Sequence, residues 1–159
     1  MTYNSNRLII HTDGGARGNP GPAAIGVVIK TEDGSPIVKL KRKIGVTTNN
    51  IAEYNAVLEA LIWVKKHKTN IEEAKSQLSA INFFLDSQLV VNQLTGNFKI
   101  KNHGLKIIHQ KVKLIEQELK AQIFYHAIPR EQNKEADRLV NLAFDENNQL
   151  KVYTHLTPV

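Results

Sequence analysis

Cysteine is absent from the 159 residues, which excludes disulfides, thiolate nucleophiles and Cys-based zinc sites. No apolar run approaches the length that spans a bilayer, and the start MTYNSNRLII lacks the layout of a signal peptide. A cytoplasmic location is the expectation. Internal repeats, linkers and low-complexity stretches are missing too, and the six histidines scatter without metal-ligand spacing. What is present is ordinary in bulk: 42% hydrophobic and 23% charged residues suit one soluble domain with one core. The charge balance says more. A formal net charge of +6 favours a polyanionic partner, because Lys and Arg gain by releasing counterions from nucleic-acid phosphates, although a merely soluble basic protein has the same balance.

Apolar patterning divides the chain into short strands and longer helices. Arg7 to Thr12 and Ala24 to Lys30 read as a hairpin around the Gly/Pro-rich loop DGGARGNPGP, and after the turn at Glu32-Asp33-Gly34-Ser35 the alternation from Pro36 to Ile44 predicts a third strand. Asn49 or Asn50 can cap a helix that carries Ile51, Tyr54, Leu58, Leu61 and Ile62 at helical spacing, with Lys65, Lys66, His67 and Lys68 near its negative end. Ile71 to Leu78 is weakly helical. Ala80 to Leu85 is a short apolar strand that ends at Asp86, and Ser87 to Leu94 a short helix followed by a turn at Gly96-Asn97. A long helix from about Leu105, a fifth strand from Gln122 to His126 and a last helix from Glu131 to Phe144 complete the order βββαβαβα. That order implies an α/β fold with a five-stranded mixed sheet flanked by helices. Residues 1–145 form the domain, and 146–159 a tail in which Leu150, Val152 and Leu156 either add an edge strand or trail.

Four carboxylates carry the chemistry: Asp13 in HTDGGARGNPGP, Glu53 in TTNNIAEYNAVLEAL, Asp86 in FFLDSQLVVNQL and Asp137 in IPREQNKEADRLVNLA. Asp13 and Asp86 each terminate an apolar strand, and ligands of open α/β sheets gather at the carboxyl ends of strands. Glu53, off the apolar stripe of its helix, and Asp137, in the first turns of the last helix, can both face that edge. Each acid alone has a plain explanation as a turn, cap or helix-dipole residue. Together, in a basic protein, they need a cation, and oxygen ligands suit Mg²⁺.

These four stretches, in this order and spacing, resemble the type 1 ribonuclease H family from about Leu8 to Phe144. The resemblance implies the RNase H-like fold and an endoribonuclease that hydrolyses the RNA strand of RNA/DNA hybrids to 5′-phosphate and 3′-hydroxyl products. It implies two Mg²⁺ ions, replaceable by Mn²⁺, held by Asp13, Glu53, Asp86 and Asp137 around the scissile phosphate. Asp13 and Asp86 would be shared ligands, Glu53 would also touch the RNA strand, and Asp137 would lie on the water side. Asn19 and Gln88 match positions that contact RNA, and Thr48 matches a pocket for a DNA-strand phosphate. Gly14 and Gly15 would let backbone groups approach the strand whose 2′-hydroxyls must be recognised. Thr48, Asn49 and Asn50 could bind a phosphate jointly at a helix N-terminus.

Two departures from the best-known bacterial pattern mark a handle-less, archaeal-type form. Only Gly96 to Gly104 occupies the place of a lysine-rich helical protrusion, and Pro129-Arg130-Glu131-Gln132-Asn133 has an arginine where those enzymes carry a histidine. Arg130 stays protonated, so its role would be electrostatic, with Glu131 as a partner. A monomer is expected. The alternatives are a related nuclease that also cuts double-stranded RNA or resolves junctions, and a nucleic-acid-binding module without catalysis.

Overall fold

Hydrogen-bonded strands in the first third of the chain run further than apolar alternation indicates. The computed structural model describes residues 6–146 and 151–154. Its elements are β1 (Asn6–Ala16), β2 (Gly21–Thr31), β3 (Pro36–Thr47), α1 (Asn49–Ala74), β4 (Leu78–Leu85), α2 (Gln88–Leu94), α3 (His103–Leu119), β5 (Gln122–Ala127), a 3₁₀ turn (Arg130–Gln132), α4 (Lys134–Asp145) and β6 (Lys151–Thr154). The sheet order is β5-β4-β1-β2-β3-β6. β1, β2, β3 and β6 pair antiparallel in succession, whereas β4 joins β1, and β5 joins β4, in parallel. All five expected strands are present. The tail adds a sixth: Lys151–Thr154 lies against β3 in the register Val38↔Thr154 to Lys41↔Lys151, while Leu150 and Leu156 lie outside the described residues.

Asp13 does not end its strand, contrary to the sequence reading. Parallel pairing with β4 stops at His11↔Phe84, but the antiparallel ladder with β2 continues through Asp13↔Gly26 to Ala16↔Ala23. The backbone partner, not the side-chain pattern, carries β1 through DGGA. The long Gly/Pro loop therefore shrinks to a tight turn closed by the Arg17 amide donating to the Pro22 carbonyl at 2.8 Å.

α1 also departs from expectation at both ends. Its N-cap is Thr48, whose side chain accepts from the Ile51 amide, so Asn49 and Asn50 lie inside the first turn. At the other end the helix absorbs residues 71–74, which leaves Lys65 to Lys68 in its interior. The helix packs on β1 and β2 with one face and on α3 with another. Ala52, Glu53, Tyr54, Ala56, Val57, Ala60, Leu61, Trp63 and Val64 are accordingly buried, and Ile62, assigned to the apolar stripe, is 44% exposed. Trp63 stacks on His67 with ring centroids 4.0 Å apart.

The main core fills the space between the sheet and α1, α2 and α3, with Leu8, Ile10, Val27, Tyr54, Leu61, Ile81, Phe83 and Val112 fully buried. On the other face α4 covers β1, β2 and β3 over a much smaller cluster of Ala24, Val140 and Ala143, with Phe144 alongside. Among the described residues, no helix is long and apolar enough to cross a membrane.

Candidate active site

Two glycines bracket Asp13 and decide how closely the helices approach it. A Cβ on Gly14, the next residue, would lie 2.3 Å from the Ala52 carbonyl and 2.6 Å from the Glu53 nitrogen. Only glycine lets α1 sit this low on the strand. A Cβ on Gly26, across the ladder from Asp13, would lie 2.3 Å from the Ala136 carbonyl oxygen and 2.8 Å from Leu139 Cβ, at the residue before Asp137. α1 thus delivers Glu53 and α4 delivers Asp137 to the same stretch of β1. Asp86 follows the end of β4, and carrying the β1–β4 register two residues beyond His11↔Phe84 brings it level with Asp13.

Asp13, Glu53 and Asp86 each offer a carboxylate oxygen, all within 4.8 Å of one another. Asp137 stands outside that trio, half-buried, yet its charge raises the proton affinity of both Asp13 and Asp86. Burial first, then the neighbouring Asp86, pushes Asp13 up to about 7. Burial, then Asp13 and Asp86, holds Glu53 well above the usual carboxylate range. Asp86 is raised by burial and partly relieved by Arg130. Glu53 Oε2 is buried with no hydrogen-bond partner. Mutually repelling carboxylates with an orphaned oxygen form a site that a hard divalent cation would neutralise, and the donors are all oxygen, as Mg²⁺ and Mn²⁺ prefer.

The remaining predicted residues separate into groups. Arg130 projects from the 3₁₀ turn, 85% exposed, with Nε 3.9 Å from Asp86 Oδ2; Asp86 rather than Glu131 is its ion-pair partner. Asn19, Thr48 and Asn49 brace one another's segments. Asn49 Oδ1 accepts from the Ala16 amide at 2.8 Å, the Asn49 amide donates to Asn19 Oδ1 at 3.0 Å, and Thr48 caps α1. Asn50 completes that first turn. At Gly14 the backbone of α1 takes the space of a Cβ, whereas around Gly15 a Cβ would find its nearest neighbour, Asn49 Oδ1, at 3.9 Å. Gln88 is exposed and opens α2 behind the Ser87 cap.

Sequence reasoning missed Gly26 and Asn133. A lone glycine inside the run AAIGVVIK was the available signal for the first, since glycine within a strand marks close backbone approach. Asn133, buried before α4, donates from Nδ2 to the Thr12 carbonyl at 2.9 Å, a bond that spacing alone cannot disclose.

A family model described as reverse transcriptase-like matches residues 11–143. A bifunctional protein of Mycobacterium tuberculosis is 35% identical over 140 residues, 87% of this chain and 36% of that protein. Ribonuclease HI of Halobacterium salinarum is 34% identical over 142 residues, 88% of this chain and 65% of that protein. The chain therefore spans only part of the length of these relatives. Among solved structures, LC11-RNase H1 in complex with an RNA/DNA hybrid shares 41% identity and a TM-score of 0.79, over 87% of this chain and 96% of that one. With the carboxylates gathered on this fold and the family model spanning the sheet and its helices, the chain belongs to the type 1 ribonuclease H family.

Proposed function

We propose that this chain is a metal-dependent endoribonuclease that hydrolyses the RNA strand of RNA/DNA hybrids, leaving 5′-phosphate and 3′-hydroxyl ends. The observation that carries this reading is the trio Asp13, Glu53 and Asp86, with oxygens within 4.8 Å and one of them buried and unpartnered. The hybrid bound by LC11-RNase H1 supports the choice of substrate. Two divalent ions, Mg²⁺ with Mn²⁺ as a substitute, would supply an activated water on one side of the scissile phosphate and charge compensation at the leaving 3′ oxygen on the other. Asp13, Glu53 and Asp86 would hold the ions, Glu53 from the buried side where it would also touch the RNA strand, and Asp137 would add its carboxylate from the solvent side. Arg130 cannot act as a base, because guanidinium stays protonated; beside Asp86 it neutralises charge on the phosphate.

Substrate recognition falls to the brace around α1. Asn19, Gly15 and Gln88 present amides and open backbone to the 2′-hydroxyls of the RNA strand. Thr48, Asn49 and Asn50, at the N-terminus of α1, hold a phosphate of the DNA strand. The test is incubation with labelled RNA/DNA hybrid, RNA duplex, DNA duplex and single-stranded RNA in Mg²⁺, Mn²⁺ or EDTA, with end-group analysis of products. Cleavage of the hybrid's RNA strand only when a divalent ion is present is expected; an intact hybrid in both metals sinks the proposal.

A further inference from the structure

Asn133 stands at the N-cap of α4 and is 1% exposed. Asparagine at such a position ordinarily turns its side-chain oxygen back to accept from an amide of the first turn. Here no cap bond forms, and Oδ1 is buried without a partner. The side chain is directed across the molecule instead, with Nδ2 donating to the Thr12 carbonyl at 2.9 Å. That carbonyl belongs to the peptide leading into Asp13. The backbone of Asn133 extends the connection, since its amide donates to the Arg130 carbonyl at 3.0 Å and its carbonyl accepts from the Asp137 amide at 3.1 Å.

One residue is therefore bonded to the strand at Asp13, to Arg130 and to Asp137. A local cap is forgone and a buried acceptor left unsatisfied, both unfavourable for stability, so the arrangement is better explained by placement than by stability. We infer that Asn133 is a positioning residue that sets where Asp137 and Arg130 stand relative to Asp13 and Asp86. The inference rests on the reading of these acids as a metal site.

Asn6 provides a matched control. It is likewise buried, at 3% exposure, and its Nδ2 donates to the Ile71 carbonyl at 3.2 Å and the Ser76 carbonyl at 2.6 Å, at the far end of β1. Asn133→Ala should lose no more thermal stability than Asn6→Ala, since it removes one side-chain bond and an unsatisfied acceptor where Asn6→Ala removes two bonds. Only Asn133→Ala should lower kcat on hybrid, on the order of 10²-fold as for a misplacement of about 1 Å, with hybrid Kd nearly unchanged. Combined with Asp137→Asn, its effect on kcat should be less than additive.

Calorimetric titration of the free protein with Mn²⁺ supplies the second readout: Asn133→Ala should bind more weakly than wild type, and Asn6→Ala should bind as wild type does. Equal kcat and equal Mn²⁺ affinity in the two variants would overturn the assignment. If wild type binds Mn²⁺ but leaves hybrid intact, the proposed substrate is wrong, and the Mn²⁺ comparison still decides the role of Asn133. Should Asn133→Ala not fold, Asn133→Ser, too short to reach the Thr12 carbonyl, is measured in the same way with the same overturning result.

Discussion

The two helices that close on Asp13 are held in opposite ways. α1 is gripped between the sheet and α3, with Tyr54, Val57, Leu61 and Val64 fully buried, and each large apolar side chain so buried contributes about 1.5–3 kcal/mol. α4 buries fewer large apolar side chains, Leu139 and Val140 beside Ala136 and Ala143, and is also tied down by polar contacts: Asn133 to Thr12, and Glu135 to Lys30 and Lys39 at 2.8 and 3.5 Å. Exposed ion pairs of that kind contribute about 0–1 kcal/mol. Glu53 therefore belongs to the stiff half of the site, and Asp137 with Arg130 to the adjustable half. A carboxylate forced into a buried, like-charged cluster needs rigid support, whereas groups that must follow a reacting phosphate are better placed where less apolar surface has to move.

Removing one of the carboxylates proposed to hold the metal should have the largest effect. Asp13→Asn or Asp86→Asn should abolish hybrid cleavage while hybrid binding stays near normal or tightens, because negative charge near phosphate is removed. Turnover measured in Mg²⁺ beside hybrid affinity checks this, and near-normal turnover in either variant would break the assignment.

The two glycines test the comparison directly. Gly14→Ala drives a methyl into the backbone of α1, which cannot retreat, so a loss of about 3 kcal/mol or more is expected; Gly26→Ala pushes on α4, which can, so about 1 kcal/mol is expected, with a disproportionate loss of kcat. Denaturant melts alongside kinetics decide it. Equal destabilisation by the two would mean that the helices are equally fixed.

Arg130→Ala should lower kcat on the order of 10²-fold, as when one group stabilising developing charge is lost, with little change in affinity. Arg130→Lys should recover part of that. An unchanged kcat in the alanine variant would reduce Arg130 to a surface ion pair with Asp86.

A smaller effect concerns metal-free stability. The carboxyl of Asp13 titrates near 3.9 when unfolded and at about 7 in the fold. The folded state thus keeps a proton that the unfolded state releases, and the stabilisation from this group is full below about pH 4 and lost as pH rises to about 7. In EDTA, the wild-type melting temperature should fall between pH 5 and pH 7.5 more than that of Asp13→Asn, by ~2–4 °C for each kcal/mol involved. Identical pH dependence in the two proteins would show that Asp13 is not held protonated.

Sequence patterning singled out four acids, of which the fold brings Asp13, Glu53 and Asp86 together, because each sits where an apolar segment meets a turn or opens a helix, and it disclosed five strands because their alternation is local. It failed where the deciding partner is distant. Asp13 looked like a strand end because apolar alternation stops at Thr12, while the ladder to β2 runs on to Ala16. Lys65 to Lys68 looked like a helix terminus, but packing of Ile71 at 4% exposure carries α1 past them. Glu53 was placed off the apolar stripe, yet a helix covered on two sides buries it at 7% exposure. Gly26 answers to Ala136 and Asn133 to Thr12, contacts that exist only once the sheet is assembled.

Trp63 is the single tryptophan of the chain, 7% exposed and stacked on His67, and it lies on the same helix as Glu53. Indole emission shifts to longer wavelength when the ring enters water, so the molecule carries a built-in fluorescent reporter on its stiff half. Release of α1 from the sheet will be visible without any label, and rearrangement of α4 alone will be dark, so fluorescence and catalytic assays of the same sample will report on different halves of the site.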